Sequence, residues 1–275
     1  MKNQALQKEV QGLISDRMKL KEISQNRLAE MMDVSPATLS NIMNGHWERV
    51  NDAFLLKVKS FFAVKDWTLI ETTNFITIQE ACEKARHQRR LIGIVGYSGA
   101  GKTTALRNYF ESHSNTYMVT CSRSMRTKQF LSEILKSLGI NYLASDYDMV
   151  RMIVDELNKV ANPLLVIDEA SKLSNNALMY LQDITDGVEN NGGIVIAGVE
   201  YLLSNLKKAS DRNKTGMPEF FRRVSLWQEL TVPSRKEIEG ICLNNGVTDP
   251  DTIRQISRLS NFGYVRNAIL NHINN

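Results

Sequence analysis

The spacing of apolar positions along the chain changes twice. Through residues 1–65 they recur at three and four, as in Leu28, Met31, Met32 and then Leu39, Ile42, Met43, which is the period of helices that bury one face. From about Thr72, short apolar and β-branched runs appear at Leu91–Val95, Tyr117–Thr120, Leu164–Ile167 and Ile194–Ala197, separated by stretches long enough for helices. Such alternation predicts a parallel sheet whose strands are joined by crossover helices. A last strand is predicted over Trp227–Val232. Pro233 then opens a tail, Ser234 to Asn275, in which helical spacing returns. The chain is thus expected to divide into an all-α unit over 1–65, a linker over 66–74, an α/β core over 75–232 and a helical lid over 233–275.

Composition narrows this picture without naming a function. With 275 residues, 43% hydrophobic and 23% charged, the chain is neither disordered nor fibrous. The net charge of +4 tolerates a polyanion but identifies none. Cys82, Cys121 and Cys242 lie far apart, and His46, His87, His113 and His272 form no ligand spacing with them, which argues against a disulfide framework or a zinc site. The start has no apolar core of signal-peptide type, and no run approaches the length of a membrane span. A reducing, cytoplasmic location without membrane partners is expected.

The strongest chemical signal is Gly96-Tyr97-Ser98-Gly99-Ala100-Gly101-Lys102-Thr103, a complete G-x-x-x-x-G-K-T phosphate loop. It follows the buried strand Leu91–Val95 and leads through Thr104 into a helix, so loop amides and the helix N-terminus converge on one point, an arrangement that suits a phosphate. Glycines there leave the backbone open to close approach. Lys102 reaches the outer phosphates of ATP and the Thr103 hydroxyl ligates Mg2+. The apolar run Leu164–Ile167 ends in Asp168-Glu169. Asp168 is the expected metal-side acid, and Glu169 is placed to orient and deprotonate the attacking water. A solvated helix N-cap is the alternative for this acidic pair.

A second signal is local to the N-terminal unit. Ser24 to Gly45 reads as two short helices crossing closely at Ala29, with Val34 in the corner, Ser35 capping and Pro36 opening the second helix, and Leu39 and Ile42 inward. Asp33 takes the turn position, tolerable because Asp visits the left-handed region. Thr38, Ser40 and Asn41, with Ala37 and Asn44, face outward as short polar groups for a DNA major groove. Residues 1–65 hold ten Lys/Arg against seven Asp/Glu, a mild excess compatible with that role. A helical pair used for protein contact is the competing reading.

The phosphate loop, the Asp-Glu strand and the helical tail together resemble an AAA+ ATPase module, and Ser24–Gly45 resembles the helix-turn-helix of phage-repressor-type proteins. Combined in one chain, they resemble the MuB-type transposition ATPases, whose relatives include proteins of the TnsC and IstB kind. The resemblance implies an ATPase, stimulated by DNA or a partner, that forms a helical filament on double-stranded DNA as a homo-oligomer and delivers the target to a transposase. It further implies a sensor-2 role for Arg266 within Gly263-Tyr264-Val265-Arg266, and an arginine finger, Arg222 or Arg223, acting in a neighbouring subunit's site. It places DNA contacts at Arg123, Arg126 and Lys128 after the second strand, where phosphate binding would be indifferent to sequence and sensitive to salt. Lys207, Lys208, Arg212 and Lys214 form a second basic loop with weaker claims. The strand Ile194–Gly198 departs from the pattern, because Val199-Glu200 follow where a polar sensor-1 residue is expected. Two alternatives stay open, a helicase-loader-type ATPase in replication and a nucleotide-switched helix-turn-helix transcription regulator.

Overall fold

The computed structural model describes residues 4–21, 23–32, 34–51, 54, 55, 58 and 69–273. Its first elements are α1 (Gln4–Lys21), α2 (Gln25–Met31) and α3 (Pro36–Met43), followed by a 3-10 turn at Trp47–Arg49. Both helices of the Ser24–Gly45 motif start as their sequence dictates. Ser24 accepts from the Arg27 amide, Ser35 accepts from the Thr38 amide, and Pro36 occupies the first helical turn. Leu28, Ala29, Leu39 and Ile42 bury their side chains against Val10 and Ile14 of α1 to form a small core of their own. Asp33, the expected turn residue, lies outside the described residues.

The second unit opens with α4 (Thr73–Gln88) and alternates thereafter: β1 (Leu91–Val95), α5 (Lys102–Ser112), β2 (Thr116–Thr120), α6 (Thr127–Ser137), α7 (Asp146–Asn158), β3 (Leu164–Asp168), a 3-10 turn (Ala170–Lys172), α8 (Asn175–Val188), β4 (Gly193–Gly198), α9 (Tyr201–Asp211), α10 (Met217–Arg223) and β5 (Val224–Glu229). The five strands are parallel in the order β2-β3-β4-β1-β5. Helices therefore cover both faces, which explains why β1, β3 and β4 are buried along their whole length. Alternation along β1 assigns each face its core. Leu91 and Val95 join Ile167, Ile194 and the inner sides of α6, α7 and α8, while Ile92 and Ile94 join Ile78 and Ala81 of α4 and Leu106 and Tyr109 of α5. At Gly193 an added Cβ would lie 2.0 Å from the Ala85 carbonyl, so the glycine is what lets α4 cross β4 at backbone distance. Three further helices, α11 (Arg235–Asn244), α12 (Pro250–Ile256) and α13 (Phe262–Ile273), form the lid around Ile238, Ile241, Val265 and Ile269.

Three expectations need correction. The last strand runs over Val224–Glu229, three residues earlier than expected, with Val224 paired to Leu91 and Glu229 to Val95. The Leu230 amide still reaches the Val95 carbonyl, but the Thr231 backbone is taken by the Asn74 side chain, which ends the ladder. Thr73 and Asn74, expected in the linker, are the first residues of α4, because Thr72 caps that helix through the Phe75 amide. Residues 66–68 lie outside the described residues. Lys207 and Lys208, expected in a loop, stand exposed on α9, with Arg212 and Lys214 exposed just beyond it. Among the described residues no helix is long and apolar enough to cross a membrane.

Candidate nucleotide site and DNA-facing surfaces

The turn from β1 to α5 builds a cavity at the carboxyl ends of the central strands, where ligands gather in open parallel sheets. Ser98, Gly99, Ala100, Gly101, Lys102, Thr103 and Thr104 form one wall, with Glu169 and Val199 beside them. Gly99 and Gly101 have φ of 83° and 88°, a backbone that only glycine adopts without strain. Gly96 and Tyr97 do not line the cavity. Gly96 packs under Leu230, where a Cβ would lie 2.8 Å away, and the carbonyls of both residues accept from Lys102 Nζ at 2.8 and 2.9 Å. The ammonium is thus held against the loop. Burial pushes its pKa down, partly offset by the carboxylates of Asp168, Glu169 and Glu200.

Asp168 ends β3 fully buried, and its Oδ2 accepts from Thr103 Oγ1 at 2.7 Å. Burial raises its pKa, while the Thr103 hydroxyl and the Glu169 amide oppose the shift. A buried carboxylate beside a hydroxyl fits a divalent cation. Among the described residues no group of three or more His, Cys, Asp or Glu could hold a metal alone, so Mg2+ here would draw its remaining ligands from phosphate and water. Glu169 lines the cavity with φ 57°, its carboxylate 3.3 Å from Lys172 Nζ. Glu169 stands at the N-cap of the 3-10 turn without a side-chain capping bond, and its amide donates to Asp168 Oδ1 at 2.8 Å.

The lid, the segment ahead of α4 and the first turn of α4 supply the opposite wall: Leu69, Ile70, Thr72, Phe75, Ile241, Phe262, Gly263 and Arg266. The phosphate loop and this apolar slot are the two halves that a nucleoside triphosphate requires. Arg266 therefore stands at the cavity, whereas Arg222 and Arg223 do not line it. Arg223 Nε lies 2.9 Å from Asp186 Oδ1, without the alignment of a hydrogen bond, and Arg222 is exposed at the end of α10. At the sensor-1 place β4 ends at Gly198 and presents apolar Val199 to the cavity; the Val199 amide donates to Ser171 Oγ at 3.0 Å.

Sequence reasoning missed several side chains. Asn74, buried, donates to the carbonyls of Ala100 (3.3 Å) and Thr231 (2.8 Å) and accepts from the Thr231 amide (3.0 Å), tying α4 to the phosphate loop and to the end of β5. Glu237 accepts from the amides of Thr73 and Ser234, each at 2.7 Å, so one carboxylate caps α4 and α11 together. Asn261 reaches the phosphate loop from the lid. An asparagine or glutamate in a polar stretch carries no sequence signal for such long-range contacts, although Ser234-x-x-Glu237 is a legible capping box.

The proposed DNA contacts lie elsewhere. Arg123, Arg126 and Lys128 are exposed where β2 leads into α6. That turn starts at Cys121, whose amide donates to the Asp168 carbonyl at 2.9 Å. In α3 the Thr38 hydroxyl is engaged with Ser35 Oγ at 2.6 Å and Ser40 Oγ accepts from Asn44 at 3.1 Å, with Asn41 half-exposed between them.

Strand order, phosphate loop and lid define an AAA-type P-loop fold carrying a helix-turn-helix unit ahead of it. Residues 85–206 match the AAA domain family and residues 14–63 the helix-turn-helix family. Among solved structures, the ORC2 protein of Aeropyrum pernix, determined with ADPNP and ADP, superposes with a TM-score of 0.55 at 18% identity, over 72% of this chain and 59% of its own. The replication initiator DnaA bound to AMPPCP and single-stranded DNA gives 0.50 at 16% identity, over 74% and 62%. This chain thus spans about three-fifths of each of those proteins, and the likeness concerns the fold. Among curated relatives, the Mu-like prophage FluMu DNA transposition protein B of Haemophilus influenzae is 29% identical over 219 residues, 76% of this chain and 73% of that protein. The ATP-dependent target DNA activator B of Escherichia phage Mu is 23% identical over 264 residues, 91% and 82% respectively. The chain is similar to these transposition B proteins along most of its length.

Proposed function

We propose that this protein is a cytoplasmic ATPase that binds ATP with Mg2+, assembles as a helical filament on duplex DNA and presents that DNA to a transposase. The observation that carries the reading is the division of parts. Phosphate-loop residues, Glu169 and Arg266 line one cavity, and Asp168 is buried behind it on the Thr103 hydroxyl, while the exposed Arg222 does not line it and is assigned to a neighbouring copy's site. The names that these relatives carry point the same way.

In this reading the loop amides and Lys102 bind the β- and γ-phosphates, and Thr103 with Asp168 holds the cation. That cation supplies charge neutralisation on the phosphate oxygens. Glu169 accepts the proton of the attacking water once its carboxylate leaves Lys172. The neighbour's Arg222 stabilises charge that develops in the transition state, so hydrolysis depends on assembly. Arg123, Arg126 and Lys128 contact DNA phosphates, and Thr38, Ser40 and Asn41 approach base edges when the N-terminal unit engages the groove.

The test is an ATPase assay with and without long duplex DNA, followed by electron microscopy of the mixture. Hydrolysis stimulated by DNA together with ATP-dependent filaments is the expected result. Discrete binding to one operator without filaments, or association with a helicase instead, would overturn it.

A further inference from the structure

We infer that Asn261 is a positioning residue that fixes the lid to the phosphate loop and thereby sets Arg266 at the triphosphate. The inference deepens the ATPase reading above and rests on it. Asn261 stands just before α13, and its Oδ1 accepts from the amides of Gly263 (2.8 Å) and Tyr264 (3.4 Å), the unpaired donors of that helix's first turn. Its Nδ2 points the other way and donates to the carbonyl of Ser98 in the phosphate loop. One amide therefore clamps two elements separated by 163 positions in sequence.

The fit is close on both sides. A Cβ at Gly99 would lie 2.3 Å from Asn261 Oδ1, and a Cβ at Gly263 would lie 3.0 Å from the same atom and 3.5 Å from the Gly99 Cα. Gly99 and Gly263 are thus what allows the lid helix to start against the loop. Arg266 lies five residues beyond Asn261 on α13, and it lines the cavity. A helix is stiff over so short a span, so fixing its first turn against Ser98 fixes where the guanidinium stands relative to the phosphates. Catalytic groups displaced by about 1 Å lose large factors in rate. Asn261 does not line the cavity and acts through the helix.

Asn261→Ser separates the two contacts, because serine still caps a helix N-terminus but is too short to reach Ser98. If Asn261 positions Arg266, Asn261→Ser weakens ATP binding or turnover by about tenfold or more, as Arg266→Ala does, with ADP affinity changed less than about twofold and the melting temperature near wild type. The double variant is then no worse than Arg266→Ala alone. Unchanged ATP affinity and turnover in Asn261→Ser, or losses that multiply in the double variant, would overturn the inference. So would a fall in melting temperature equal to that of Asn261→Ala that accounts for the lost activity, since Asn261 would then be a cap and nothing more. Wild-type protein that binds no ATP would instead overturn the reading of the site on which the inference stands.

Discussion

Lys102 and Asp168 carry their charges where water is scarce. Burial lowers the pKa of the lysine and raises that of the aspartate, so at neutral pH the charged form of each costs the ligand-free fold some stability. A triphosphate and its cation bring further opposite charge to both groups. Addition of Mg2+ and ATP should therefore raise the melting temperature of the wild type. In Lys102→Ala that rise should disappear, because the charge reaching the outer phosphates is gone. Glu169→Gln keeps the shape and the binding residues and removes only the proton acceptor, so it should retain the ATP-dependent rise while turnover falls by roughly 100-fold or more. Calorimetric melting and phosphate release measured on the same samples check both outcomes, and equal loss of ATP binding in the two variants would show that Glu169 has been given the wrong role.

The joints between elements depend on two side chains that periodicity does not reveal. Removing Asn74 takes a partner from the buried Ala100 carbonyl and from the part-buried carbonyl and amide of Thr231, at roughly 1–3 kcal/mol for the buried group and less for the other two. Asn74→Ala should lower the melting temperature by several degrees and weaken ATP binding, since the orphaned Ala100 lies inside the phosphate loop. Glu237 works through its charge. Burial pushes its pKa up, but hydrogen bonds from Ser234 and Thr73 outweigh burial and leave it below the ordinary value of 4.5. A depressed carboxylate contributes stability above its unfolded pKa and loses it as pH falls through the folded one. The stability difference between wild type and Glu237→Gln should therefore be full above about pH 5 and shrink steadily below about 4.5. Melting curves of both proteins across that range check it, and the comparison cancels Asp168, whose raised pKa acts with the opposite slope.

Strands β1 and β3 and the loop between β1 and α5 were legible because wholly apolar runs must be buried on both faces and the glycine spacing allows only one backbone path. The end of β5 was not. Leu226 is exposed on this edge strand, so its apolar pattern is diluted, and its limit is set by Asn74 more than 150 residues earlier. The N-terminal helices were legible through Ser24, Ser35 and Pro36, whose capping is local. The contacts of Asn74, Glu237 and Asn261 were not, because tertiary structure alone brings their partners near.

At the scale of the whole molecule, Arg222 stands exposed on α10 and does not line the cavity. Arg222→Ala alone should bind ATP yet turn it over poorly, and Lys102→Ala alone should bind none. Mixed in equal amounts on DNA, the two should recover part of the activity, because subunits lacking the lysine still offer Arg222 to subunits that hold ATP. No recovery at any ratio, with filaments present, would remove Arg222 from the mechanism. Arg223→Ala should act instead on stability, through loss of its pairing with Asp186. Replacing Arg123, Arg126 and Lys128 together by alanine should weaken DNA binding equally across sequences and reduce the salt slope by up to about three. A slope that does not change would place the DNA on another surface.

Leu69 and Ile70, where the chain passes from the N-terminal unit into the ATPase core, are walls of the nucleotide cavity, and Ile70 also packs against the lid. A ligand that fills the cavity therefore lies against the two residues through which the chain enters the ATPase core.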